Sequence, residues 1–189
     1  MTKPTTSKPS PELQQNPLIA FGRGICAYSE VKPSDIAPAI DFLLQRAQSA
    51  VDHAVDPATP ANWNDLVEPL EDATESLSRS WGVISHLNSV ADTPELRAAY
   101  GEMMPKVTAF FSSLGQNLAL YEKFKAAILN MADDLEVKPL KYYIAFKRHS
   151  NLVDIEIQKK SLKIFLNAKW GAINDSKGIA RNVSGIGHS

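Results

Sequence analysis

The chain holds a single cysteine, Cys26, so it can close no disulfide within itself. That fits a reducing, cytoplasmic setting. It has no apolar run near the ~20 residues that a membrane-spanning helix needs. Its opening, MTKPTTSKPSPELQQNP, lacks the apolar core of a secretory signal. Net charge is almost absent, at −1 over 189 residues, so the molecule as a whole is not built to seek polyanions. Neither a membrane nor a nucleic acid is expected as a partner.

Compact catalytic motifs are missing too. Two histidines at helical spacing with a glutamate between them, His-Glu-x-x-His, would place two ring nitrogens on one helix face around a metal. The four histidines here do not do so: His53 is followed by Ala-Val-Asp-Pro, His86 by Leu-Asn-Ser-Val, His149 by Ser-Asn-Leu-Val and His188 by Ser189. Gly22, Arg23 and Gly24 form a short turn but no phosphate-binding loop, Ser184–Gly187 (SGIG) is equally weak, and no Gly-x-Ser-x-Gly elbow occurs. Cys26, in RGICAY, has no partner motif and reads as a packed or merely exposed thiol. No catalytic, cofactor-binding or metal-ligating residue is assigned.

What is present is helical periodicity. Apolar residues are 44% and charged residues 22% of the chain, enough to build a core. Residues 1–17 are rich in Pro, Ser, Thr and Lys and read as a flexible leader. Ile36, Ile40, Leu43, Leu44, Ala47, Val51 and Val55 trace one helix face over Asp35–Val55, with Ser34 as N-cap and Pro38 at the first turn or a break before the main helix. Leu66, Leu70, Ala73, Leu77, Trp81 and Ile84 trace a second, capped by Asn62. Pro69 is out of place there, bending the first turns or moving the helix start. The far face of this helix carries Asp65, Glu68, Glu71, Asp72 and Glu75, read as solvated. A third stripe runs from Leu96 to about Ala127, kinked by Pro105 and loosened at Gly115.

Between the second and third stripes lies SHLNSVADTPELRAAY, Ser85–Tyr100. Its polar residues each have a capping role: Asn88 as a left-handed terminator, His86 against the last turn, Asp92 or Thr93 as N-cap, Pro94 at N1, and Glu95 as a capping-box acid if Asp92 is the cap. The stretch reads as a corner between two helices and not as an active site.

Composition changes near residue 126. Residues 1–125 carry a net −5 and residues 126–189 a net +4. Val153, Ile155 and Ile157 alternate like a strand. The end, GAINDSKGIARNVSGIGHS, is small, polar and Gly-rich, as a loop would be. Lys138, Lys141, Lys147, Arg148, Lys159, Lys160 and Lys163 interleave with Tyr142, Tyr143, Phe146 and Phe165. They read as ordinary surface lysines over an apolar strip.

Residues 63–100, WNDLVEPLEDATESLSRSWGVISHLNSVADTPELRAAY, resemble the N-terminal helical region of the oligopeptidase A group in the thimet oligopeptidase family of zinc metallopeptidases. The family phrases fall on Trp63 and Leu66, Pro69 and Leu70, Ser85–Val90 and Pro94–Tyr100, with further likeness at 31–40 and 117–126. The likeness covers about residues 17–127. It implies a mostly α fold, with about three long antiparallel helices forming part of a larger clamshell. In an intact family member these helices line the wall of a channel that admits short peptides. The zinc, held by a His-Glu-x-x-His helix and a further glutamate, belongs to a part of the family sequence with no counterpart here.

The expected organisation is a flexible leader at 1–17, a helical region at 18–127, and a non-matching, poorly defined tail at 128–189, either a frameshifted ending or a genuinely joined segment. The chain is expected to be inactive alone, with no cofactor of its own. Its alternative role is a non-catalytic helical module that docks a separate catalytic part or another helical partner.

Overall fold

A computed structural model describes residues 8–130, 134–157, 162–175, 178 and 180–183. The chain divides into two compact units, residues 1–131 and 132–189. No helix among the described residues is long and apolar enough to cross a membrane.

Among its described residues, the regular elements of the first unit are all helices. α1 (Pro11–Gln15) and α2 (Pro17–Ala20) are short, each with proline in its first turn and a side-chain cap from Ser10 or Asn16. Half of the segment expected as a flexible leader is therefore folded, because two caps and two N1 prolines fix the chain locally. Residues 1–7 lie outside the described residues. A 3₁₀ turn (Tyr28–Glu30) leads to α3 (Pro33–Val55), then come α4 (Glu68–Val90), α5 (Pro94–Leu114) and α6 (Leu118–Leu129).

α3 is the hub, packed on α2, α4, α5 and α6. It buries Ile36, Ala39, Ile40, Leu43, Ala47, Ala50, Val51 and Ala54. Its four buried alanines leave room for neighbouring helices to approach, and the larger residues fill between them. α4 answers with Leu70, Ala73, Leu77, Val83 and Ile84, and α5 with Leu96, Met103, Val107 and Phe110. Trp81 of α4 stacks on Tyr100 of α5, with ring centroids 4.8 Å apart and planes 11° off parallel.

Several expected boundaries move, each for a local reason. α3 begins at Pro33, not after Ser34: the Asp35 carboxylate accepts the Lys32 backbone N–H at 2.8 Å, which anchors an earlier start. Pro38 is then inside the helix. Asn62 does cap the second helix, accepting the Asp65 N–H at 2.9 Å, but the chain then enters a π-helical turn over Trp63–Val67. The Glu68 N–H reaches back five residues to the Trp63 carbonyl. That wide turn sets Pro69 in the opening turn of α4, where a missing N–H is tolerated. Asn88 is not a left-handed terminator: no described non-glycine residue has positive φ, and α4 runs on to Val90.

The third stripe is two helices. α5 ends at Leu114 with Gly115 as its C-cap, and Asn117 caps α6 by accepting the Leu120 N–H at 3.0 Å. Pro105 lies within an unbroken α5. Lacking an N–H, the proline cannot bond the carbonyl of Gly101, four residues back.

The second unit is a four-stranded antiparallel sheet of β1 (Glu136–Pro139), β2 (Ile144–Lys147), β3 (Asn151–Ile157) and β4 (Leu162–Leu166), in the order β1-β2-β3-β4. The alternation at Val153 and Ile155 is borne out. Val137, Phe146, Val153 and Leu166 align across the strands, and so do Pro139, Ile144, Ile155 and Ile164. One face is thus apolar, and part of the segment expected as a poorly defined tail is a sheet. The register shifts between Phe146 and Lys147, at the bend into the β2–β3 loop.

Candidate functional site

The corner at Ser85–Tyr100 has defined geometry. Thr93 is the N-cap of α5, and its side chain accepts the Leu96 N–H at 3.2 Å. Leu96 rather than Glu95 is therefore three residues past the cap, so Glu95 closes no capping box. Asp92 turns to Arg97 instead, in a two-pronged pair at 3.0 and 2.6 Å. The hydrogen bonds from Arg97 hold the Asp92 carboxyl below the usual carboxylate range and raise the guanidinium. His86 is exposed and meets Tyr28 edge to face, with ring centroids 5.4 Å apart. Thr93, Asp92 and Arg97 thus serve the joint between the helices, while the Asn88 Oδ1 is buried without a hydrogen-bond partner among the described residues.

The acidic face of α4 is only partly solvated. Asp72 bonds Arg46 of α3 through Oδ2 and Arg23 through Oδ1, the latter at 3.3 Å, and Glu75 lies 3.9 Å from Arg23. Arg46 also donates to Ser76 at 3.2 Å. Four side chains from α3, α4 and the Gly22–Gly24 turn thus form one charge cluster. Arg79 completes the tie by donating to the Gly24 carbonyl and lying over the Phe21 ring.

Cys26 is a packed thiol, 5% exposed. Burial pushes its ionisation upward, and the nearby Glu30 charge adds to the effect. A thiol kept protonated is a poor nucleophile. His53 is held near Thr59, whose hydroxyl donates to the His53 carbonyl at 2.7 Å, while Lys123 of α6 donates to the Thr59 carbonyl at 2.7 Å. A broad, open cleft of about 600 Å³ lies between α1 and the start of α3, lined by Glu12, Gln15, Asn16, Glu30, Lys32 and Asp35 among others. Its lining has no histidine or cysteine. Asn16 and Asp35 there are engaged in joining α2 to α3 and capping α3.

In the second unit, three of the described cations face acids, while Lys141 lies over the Tyr142 ring. Lys147 meets Glu136 at 3.4 Å, Arg148 meets Asp134 at 2.6 Å, and Lys163 meets Glu156 at 3.8 Å. Lys159, Lys160, His188 and the SGIG run lie outside the described residues. Among those described, no three His, Cys, Asp or Glu residues are gathered to hold a metal ion. The described residues do not fit the zinc that the resemblance implies for intact family members.

A family model for the neurolysin/thimet oligopeptidase N-terminal domain matches residues 40–142. The chain belongs to this family. The thimet oligopeptidase match begins inside α3, takes in α4, α5 and α6, and ends past the boundary expected near residue 127. A second family model, a domain of unknown function, matches residues 107–187 and so spans the sheet.

Relatives agree with the thimet oligopeptidase assignment. A probable cytosolic oligopeptidase A of Arabidopsis thaliana is 39% identical over 114 residues, 60% of this chain and 16% of the relative. Oligopeptidase A of Haemophilus influenzae is 29% identical over 160 residues, 84% of this chain and 22% of the relative. An uncharacterized protein of the same bacterium is 51% identical over 69 residues, 36% of this chain and 23% of its own length. The chain therefore spans under a quarter of the length of these relatives.

Proposed function

We infer that the helical unit is the channel-wall region of an oligopeptidase A-like zinc metallopeptidase, which in its intact form hydrolyses short peptides in the cytoplasm. The observation that carries this reading is the family match across α3–α6, the elements that bury the core. On this reading the helices shape access for peptides, and a zinc-activated water belongs to a catalytic portion that these 189 residues do not include. The chain by itself hydrolyses no peptide, since its sequence offers no His-Glu-x-x-His. A peptidase assay on the purified chain with added zinc tests this. Turnover above a chelated control would overturn it.

A second reading is a non-catalytic module that docks a separate catalytic part. Exposed apolar side chains on the helical unit favour it: Ile25 is 94% exposed, Leu118 69% and Trp63 62%. Trp63 belongs to a phrase carrying the family resemblance, yet only Leu66 of that phrase is buried. Binding of this chain to a catalytic portion of oligopeptidase A, lost in Trp63→Ala, is the expected result.

We also read the segment that holds β1–β4 as a folded sheet unit and not as a frameshifted ending. A family match reaching residue 187 and a four-strand register with one apolar face both support it, since an out-of-frame tail has no reason to satisfy either. Limited proteolysis that spares the sheet is the expected outcome.

A further inference from the structure

The two edges of the sheet are built differently. The Leu140 N–H donates to the Tyr143 carbonyl at 2.8 Å, which fixes the phase of β1: Glu136 and Lys138 turn their backbone groups toward β2, and Val137 and Pro139 turn theirs outward. Pro139 has no N–H to offer at that outward position, and β1 is only four residues long. That edge is blunted.

β4 is not. The Asn167 N–H donates to the Leu152 carbonyl at 2.9 Å. Lys163 and Phe165 therefore pair with β3, while Leu162, Ile164 and Leu166 turn their backbone groups away from it. Those outward groups have no hydrogen-bond partner among the described residues. The strand contains no proline or glycine, and Ile164 and Leu166 are 56% and 49% exposed. An open apolar edge of this kind is a template for another strand.

We propose that β4 pairs antiparallel with β4 of a second copy of this chain, about a two-fold axis at Ile164, to make one continuous eight-stranded sheet. The sequence is self-complementary in that register. Ile164 falls opposite its own copy, Leu166 opposite Leu162, and Lys163 opposite Phe165. The lysines avoid direct opposition, and each meets an aromatic position, a pairing already present within the chain, where Lys163 Nζ lies 4.8 Å from the Phe165 ring centroid. The pairing would supply about six backbone hydrogen bonds. A net charge of −1 gives two copies little reason to repel. Because β1 is blunted, the assembly closes as a pair and does not grow head to tail into a fibre.

Sedimentation of the full chain over a range of concentrations tests the proposal. A concentration-dependent dimer is expected. Ile164→Lys, which sets two like charges opposite each other, is expected to weaken it by about tenfold or more. Mixing Ile164→Lys with Ile164→Glu is expected to restore a heterodimer. Should either variant misfold, Ile164→Pro removes an outward N–H and leaves in place the β3 ladder bonds, which Lys163 and Phe165 make. In the unaltered chain, moreover, amide exchange at Ile164 and Leu166 should slow as concentration rises. A chain that stays monomeric throughout overturns the proposal. So does a dimer indifferent to Ile164→Pro, or one whose Ile164 and Leu166 amides exchange at concentration-independent rates.

Discussion

The Ser80 hydroxyl on α4 donates to the Leu18 carbonyl of α2 at 2.6 Å, and both residues are almost wholly buried. This bond fastens the N-terminal segment to the helical unit across 62 positions of sequence. Ser80→Ala deprives a buried carbonyl of this donor, which costs about 1–3 kcal/mol. Thermal unfolding of the variant should show a midpoint lowered by roughly 3–10 °C. An unchanged midpoint would mean that the segment does not dock on α4 through this bond.

At the α4–α5 corner the cap is Thr93, so Thr93→Ala should destabilise by about 1 kcal/mol. Glu95→Ala should be close to silent. Chemical denaturation of the two variants side by side decides the matter. If Glu95→Ala costs as much as Thr93→Ala, the capping box placed on Asp92 and Glu95 is the true arrangement.

Much of the helical unit was legible because burial repeats at helical spacing: Ile36, Ile40, Leu43, Ala47 and Val51 are all in the core, as their steps of three and four require. The π turn was not legible. Pro69 announced a conflict, but only the wider bond from Glu68 to Trp63 shows how the chain resolves it. The sheet was half legible. β3 alternates openly, while β1 is the short segment Glu-Val-Lys-Pro, whose Val137 and Pro139 gain meaning only beside Phe146 and Ile144. The charge cluster was hidden altogether, because Arg46 and Asp72 lie on different helices and no local spacing joins them.

The Asp92 carboxyl should titrate below the ordinary range, since Arg97 stabilises its charged form. Because the folded value is depressed, whatever stability the pair lends is present above the unfolded carboxylate value and is lost as pH falls through the folded one. Carboxyl NMR shifts tracked against pH should show the depression, and Arg97→Gln should abolish it. A normal titration in the unaltered chain would show that the exposed pair does not persist in solution.

Cys26 makes the opposite pH statement. Its folded value is raised by burial and by Glu30. Stability linked to the thiol is therefore complete below the unfolded value of about 8.5 and declines as pH rises toward the folded one. Compared with Cys26→Ala, the unaltered chain should lose stability more steeply above that point. A thiol reagent should label it slowly until denaturant is added. Rapid labelling of the folded chain would contradict a packed thiol.

The Arg46–Asp72 pair is the sharpest test of whether the acidic face of α4 is structural. The Arg46 side chain is 25% exposed, against 62% for Arg23, though both meet the same Asp72 carboxylate. Solvent screens the Arg23 contact and leaves it a coupling of about 0–0.5 kcal/mol, as for ordinary surface pairs. Arg46 is more sheltered and is oriented by Ser76, so its coupling to Asp72 should be larger, about 1 kcal/mol. Double-mutant cycles with Arg46→Met, Arg23→Met and Asp72→Asn measure both values on one scale. If the two couplings are equal and near zero, the face is simply solvated and α3 and α4 are held by apolar packing alone. If Arg46 couples more strongly, the cluster fixes how α4 lies against α3, and with it the position of the exposed Trp63 at the head of that helix.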